Sequence, residues 1–167
     1  MKYELKRFTN AECAEARAAW EAIAGHDAFY LEFAPFFSWV ETHIEPQEHD
    51  SMALQLVNLG ADGRVDAIVE VVDSRKGTLS KLLKIVVSPQ FWDVNDSRNS
   101  IVVIYSEIFT QFIIGFGTDL SRRNVKIYGR DDDMMSILRS VHAHWSVPGA
   151  TADFEGRFLA ISFSARS

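Results

Sequence analysis

The chain has 167 residues, 47% apolar and 24% charged, enough for one domain, 1–167, with a full hydrophobic core. Its 17 Lys and Arg stand against 23 Asp and Glu, and the net charge of −6 opposes nonspecific binding, so neither nucleic acid nor a membrane is expected as a partner. The single cysteine, Cys13, cannot close an internal disulfide, no apolar run reads as a membrane span of ~20 residues, and MKYELKRF carries no signal-peptide core, so a cytoplasmic protein is expected.

Tyr3 to Phe8 alternates, with Tyr3 and Leu5 against Lys2, Glu4 and Lys6, and predicts a first strand. Thr9-Asn10-Ala11-Glu12 is a capping box, and Cys13, Ala16, Trp20 and Ile23 or Ala24 then recur at helical spacing until Gly25 stops the helix. Asp27 to Ile44 carries Phe29, Tyr30, Phe33, Phe36, Phe37, Trp39, Val40 and Ile44 around Pro35, which predicts a second helix broken or restarted near the proline. This aromatic load suits core packing, and also suits a ligand pocket or a partner surface.

Ser51–Leu59 and Arg64–Asp73 predict two strands joined by the hairpin turn Gly60-Ala61-Asp62-Gly63. Val65, Ala67, Val69 and Val71 share one face of the second; the other, with Arg64, Asp66, Ile68 and Glu70, is expected to be largely wet. After a turn at Ser74–Thr78, the apolar run Leu82–Val87 predicts a central strand covered on both sides. Ser88 to Asn99 follows without a glycine, holding Phe91, Trp92, Asp93, Asp96 and Arg98 where a phosphate cradle would need close backbone approach. Ile101–Phe116 predicts a helix, Val125–Tyr128 a strand, and Asp131-Asp132-Asp133 the start of a helix carrying Met134, Ile137, Leu138 and Val141. Thr151–Phe154 and Arg157–Phe163, turning at Glu155-Gly156, predict a closing hairpin.

Several local patterns have ordinary explanations. Gly115-Phe116-Gly117 is a helix stop, and the three aspartates after Gly129-Arg130 would repel a phosphate there. The cluster from His43 to Asp50 has imidazoles and carboxylates but no recognised metal spacing, so no metal is expected. His142 and His144 fall on different sides of one helix, and Cys13 has no activating neighbour in sequence.

The element order β-α-α-β-β-β-α-β-α-β-β resembles that of the GNAT acetyltransferase superfamily over nearly the whole chain. The resemblance implies an α/β fold with a mixed, mostly antiparallel sheet and helices on both faces. It also implies an acyl-CoA cofactor, acetyl-CoA or another, held by the backbone of Ile85, Val86 and Val87, with Arg98 as the cation nearest the pyrophosphate. The superfamily signature of Gln or Arg, two residues, Gly, one residue, Gly or Ala is absent from Gln90 to Ser100. The usual asparagine and downstream tyrosine after the next strand are absent as well. By the same resemblance Tyr128 is placed as general acid toward a leaving thiolate and Glu70 as general base toward an amine substrate. Two functions lead, a divergent N-acyltransferase and a noncatalytic GNAT-like protein that binds a partner or forms a homo-oligomer through residues 29–39, and a metal-dependent enzyme using the His43 to Asp50 cluster trails well behind them. Val125–Tyr128 and Lys81–Val87 are expected to be adjacent parallel strands.

Overall fold

The computed structural model describes residues 2–45, 51–74, 78–92, 94–117 and 124–164, with backbone alone for 94–98. Strand β1 (Tyr3–Arg7) enters helix α1 (Asn10–Ala24) through the capping box: Thr9 Oγ1 accepts from Glu12 N at 3.2 Å, and Glu12 Oε2 accepts from Thr9 N at 2.8 Å. Two N–H groups that a helix start leaves without a partner are thereby satisfied. Gly25, at φ 81°, ends α1 in a conformation that a β-carbon would strain. The aromatic stretch splits into α2 (His26–Glu32) and α3 (Ala34–Thr42) at Phe33, because Pro35 suits the first turn of a helix but not its interior.

Strands β2 (Ser51–Asn58), β3 (Arg64–Asp73), β4 (Leu79–Val87), β5 (Asn124–Tyr128), β6 (Ala150–Glu155) and β7 (Phe158–Phe163) join β1 in one sheet of order β1-β2-β3-β4-β5-β7-β6. β4 and β5 are parallel, from Leu79 opposite Asn124 to Leu82 opposite Ile127, and α4 (Val94–Gly117) supplies the expected crossover. The β1–β2, β5–β7 and β7–β6 pairs are antiparallel.

Two compact units divide the chain: Met1–Glu70 with Ile85–Ile108, and Val71–Lys84 with Phe109–Ser167. In the first, α1 to α3 bury Cys13, Ala16, Trp20, Phe29, Phe33 and Phe37 in one core with Ala53, Val65 and Ile68 of the sheet. Trp20 meets Phe33 and Phe37 edge to face at 5.2 and 5.4 Å, and its Nε1–H donates to the Val65 carbonyl at 3.0 Å, so its buried polar atom is paired. The aromatic segment is therefore core. Among its rings Tyr30 alone reaches half exposure, and Leu31 beside it is 77% exposed.

In the second unit, α5 (Asp132–Ala143) begins with Asp131 Oδ1 accepting from Met134 N at 2.8 Å, and His142 packs on Phe154 at 5.3 Å. Gly117, closing α4, lies where a β-carbon would collide with the Phe163 ring. Both contacts place helices over the sheet face that buries Val125, Ile127, Leu159 and Ile161.

Three local expectations change. The middle of the β3 face expected to be wet is buried, with Asp66 and Ile68 both at 0% exposure, because a polar network described below replaces water; Arg64 is exposed and Glu70 half-buried. β4 is half-buried from Leu83 to Val87 rather than covered on both sides. α4 begins at Val94 instead of Ile101, and Asn99–Gly117, 19 residues, matches a membrane span in length and composition where no such run was expected. Ile104, Ile108, Phe109 and Phe112 form a buried stripe along it, the pattern of a helix turned toward a core.

Candidate functional site

The end of β4 and the turn behind it concentrate the unusual features of the first unit. The ladder between β4 and β5 stops at Leu82 opposite Ile127, whereas β4 runs five residues further, to Val87. Ile85, Val86 and Val87, the expected cofactor contacts, all lie in this overrun; Val86 also packs against the aromatic core. Backbone groups along such a strand edge can bond an extended, amide-containing ligand as another strand would.

Beyond Val87 the chain turns at Ser88 into a single 3-10 turn, Pro89–Phe91, fastened to β3. Ser88 N donates to the Asp66 carbonyl at 2.9 Å, and Gln90 Nε2 donates to Asp66 Oδ1 at 2.6 Å. The Asp66 carboxylate also accepts from Arg64 Nε at 2.7 Å and Asn58 Nδ2 at 2.9 Å, with Arg64 reaching Oδ2 again at 3.4 Å. A fully buried carboxylate is costly unless charge and donors surround it, and here both do. Asn58 Nδ2 also donates to the Tyr3 hydroxyl at 3.3 Å. Burial, then the charge of Asp66 and a hydrogen bond to it, push the Tyr3 hydroxyl pKa up. Trp92 stacks on Phe33 at 5.2 Å, closing the turn against the aromatic core. Ser88 Oγ is buried and has no hydrogen-bond partner among the described residues.

Glu70 lies in β3, half-buried, its Oε1 accepting from Ser51 Oγ at 3.4 Å. Arg98 belongs to α4, as its fifth residue, and its side chain lies outside the described residues. Tyr128 ends β5 in the second unit, half-buried and 5.0 Å from the Phe158 ring. Ile85 to Val87, Glu70 and Arg98 thus share one compact unit, and Tyr128 belongs to the other. Asp66, Gln90, Asn58 and Tyr3 were not singled out from sequence; an aspartate between Val65 and Ala67 fits a solvent-facing position equally well.

Other chemistry is sparse. No group of three or more potential metal ligands occurs among the described residues. His43 Nδ1 lies 2.7 Å from the Trp39 carbonyl, and residues 46–50 of that cluster are outside the described residues. Cys13 is buried, which pushes its thiol up to about 11 and leaves it unreactive near neutrality.

No protein-family model matches the chain, and no curated protein matches it in sequence. Solved structures do. A spermidine N-acetyltransferase from Vibrio cholerae, in complex with CoA and spermine, is similar at a TM-score of 0.51 and 9% identity, covering 96% of this chain and 92% of that one. The fold is that of the GNAT acetyltransferases. A GNAT-family acetyltransferase from Staphylococcus aureus Mu50 gives 0.49 at 10% identity, covering 95% and 97%. The PaiA N-acetyltransferase from Thermoplasma acidophilum, in complex with coenzyme A, gives 0.41 at 12%, covering 98% and 99%. At such identities the likeness concerns architecture.

Within the GNAT-like fold, the free length of β4 suits the amide-bearing arm of CoA. The turn suits its pyrophosphate less well. The segment from Ser88 to Asn99 has no glycine, and Gln90 and Ser88 tie its first part to Asp66. An anion at this end of the sheet would meet the backbone N–H groups of the first turn of α4.

Proposed function

We propose that this chain is a divergent acyl-CoA-dependent N-acyltransferase with an amine as acceptor. The observation that carries this reading is the overrun of β4 past its ladder with β5, from Leu83 to Val87. The backbone of Ile85, Val86 and Val87 would hold the pantetheine arm, and Arg98 with the start of α4 the pyrophosphate. The bound cofactor supplies the activated acyl thioester. Glu70 takes a proton from the acceptor amine, directly or through a water, so that the nitrogen can attack the acyl carbon. Tyr128, in the other compact unit, would be the proton donor to a leaving thiolate by the resemblance alone.

The second reading, a noncatalytic GNAT-like protein, draws on the Asp66–Gln90 clamp, which holds a glycine-free turn where a phosphate cradle needs close backbone approach. Thermal unfolding with CoA, acetyl-CoA and no ligand separates the two. A ligand at 100 times its Kd stabilises by about 2.7 kcal/mol, several degrees in Tm. A shift with CoA and with acetyl-CoA, and release of free thiol from acetyl-CoA when amines are added, supports the enzyme. No shift with either ligand at millimolar concentration leaves the noncatalytic reading. The cytoplasm as its location and a homo-oligomeric state belong to this proposal too.

A further inference from the structure

Strand β6 stands at one end of the sheet order, with β7 on one side and no strand of the described residues on the other. An edge of this kind offers its backbone to a further chain unless the groups that point outward are withdrawn. Ser164 N donates to the Gly149 carbonyl at 2.8 Å, which sets the phase of the antiparallel β6–β7 ladder. In that phase Thr151, Asp153 and Glu155 turn their backbone groups toward β7, and Ala150, Ala152 and Phe154 turn theirs outward.

Most of what points outward is already bonded within the chain. Ala150 N donates to the Val147 carbonyl at 3.2 Å, and the Ala150 carbonyl accepts from Trp145 Nε1 at 3.2 Å. Phe154 N donates at 2.8 Å to Oδ1 of Asp153, an exposed residue whose carboxylate bends over onto the edge. Ala152 N is left as the one outward donor of β6 without a partner among the described residues. Two copies of an uncapped β6, paired antiparallel through residues 150, 152 and 154, would share six backbone hydrogen bonds; with one donor left in each, they share at most two in any register. The register that sets Ala152 opposite Phe154 also brings Asp153 against its own copy, and like charges directly opposite destabilise a strand pair.

We infer that β6 is an edge closed to strand addition by a second copy of this chain, and that the Asp153 side chain is what closes it. Removing that side chain frees Phe154 N and raises the limit from two hydrogen bonds to four, in the register that pairs Ala152 with Phe154, where it also removes the facing charges. Self-association of the wild-type chain is thereby left to other surfaces. The inference rests on β6, β7 and the residues after α5, all in one compact unit, and does not depend on the acyltransferase reading.

The test compares the full-length wild type, Asp153→Ala and Asp153→Asn by sedimentation velocity over a range of concentrations, with circular dichroism to establish the fold. Asp153→Ala should self-associate about tenfold or more tightly than wild type, because two further backbone hydrogen bonds come within reach. Asp153→Asn removes the same charge but keeps an oxygen for Phe154 N, so it should match wild type. Amide exchange on the wild-type protein gives a second measurement that stands should the alanine variant not fold: it should be fast at Ala152 and slow at Thr151 and Asp153, whose N–H groups face β7. Unchanged association in a folded Asp153→Ala protein, equal gains in Asp153→Ala and Asp153→Asn, or an Ala152 amide as protected as its two neighbours overturns the proposal.

Discussion

Gln90 Nε2 donates to Asp66 Oδ1 across 2.6 Å, joining the turn after β4 to a carboxylate that no solvent reaches. Four donor groups from Arg64, Asn58 and Gln90 converge on that carboxylate, so two strands and one turn share a single buried charge.

Removing the charge should cost more than removing any one donor. Asp66→Ala leaves Asn58 and Gln90 without their acceptor and is expected to destabilise by about 1–3 kcal/mol for each donor left unsatisfied, Arg64 being free to turn to solvent. Gln90→Ala should cost about 1.5–3 kcal/mol, the range for a hydrogen bond to a charged group. Urea unfolding midpoints at constant slope measure both; an Asp66→Ala midpoint equal to that of wild type would show that the network is dispensable.

The entry to α1 carries a pH signature. Glu12 is lowered to about 2, first by the hydrogen bond from Lys6 at 2.7 Å and further by those from Thr9. Because the folded pKa lies below the unfolded one, near 4.5, the contribution is complete above about pH 5 and is lost as pH falls toward 2. Tm plotted against pH should therefore fall less steeply between about 5 and 2 in Glu12→Gln than in wild type. Parallel curves would contradict this.

At the end of α4, Gly117→Ala drives a β-carbon into the Phe163 ring. Overpacking of this kind typically costs about 1–3 kcal/mol. Adding Phe163→Leu should recover part of the loss, and strict additivity of the two changes in a double-mutant cycle would exclude the collision as its cause.

Arg98→Ala is expected to weaken CoA binding about tenfold or more, since the turn lacks a glycine cradle and Arg98 is the cation nearest the start of α4. Calorimetry on the folded variant decides it, and unchanged affinity would detach Arg98 from the site.

Cys13, buried with its thiol pushed up to about 11, should react with a disulfide reagent only as fast as the native protein opens. Fast labelling under native conditions would contradict that burial.

The sequence by itself determined the element order, because those signals act within a few residues. The Thr9–Glu12 capping box, the arrest at Gly25, the break before Pro35 and the hairpin at Gly156 need only neighbours in the chain to form. The parallel pairing of β4 with β5 was also legible, since a strand, helix and strand in succession have one favoured handed connection. Tertiary structure alone decided the rest. Asp66 looks like a surface residue in a strand of alternating valines, and only donors 8 and 24 positions away, Asn58 and Gln90, make its burial tolerable. Lys81 and Lys126 become neighbours only through register, and the counter-charge of Lys126 is Glu155, 29 residues further along the chain. The physical reason is the same in both places: the cost of a charge is set by what surrounds it, and packing brings those surroundings from distant parts of the chain.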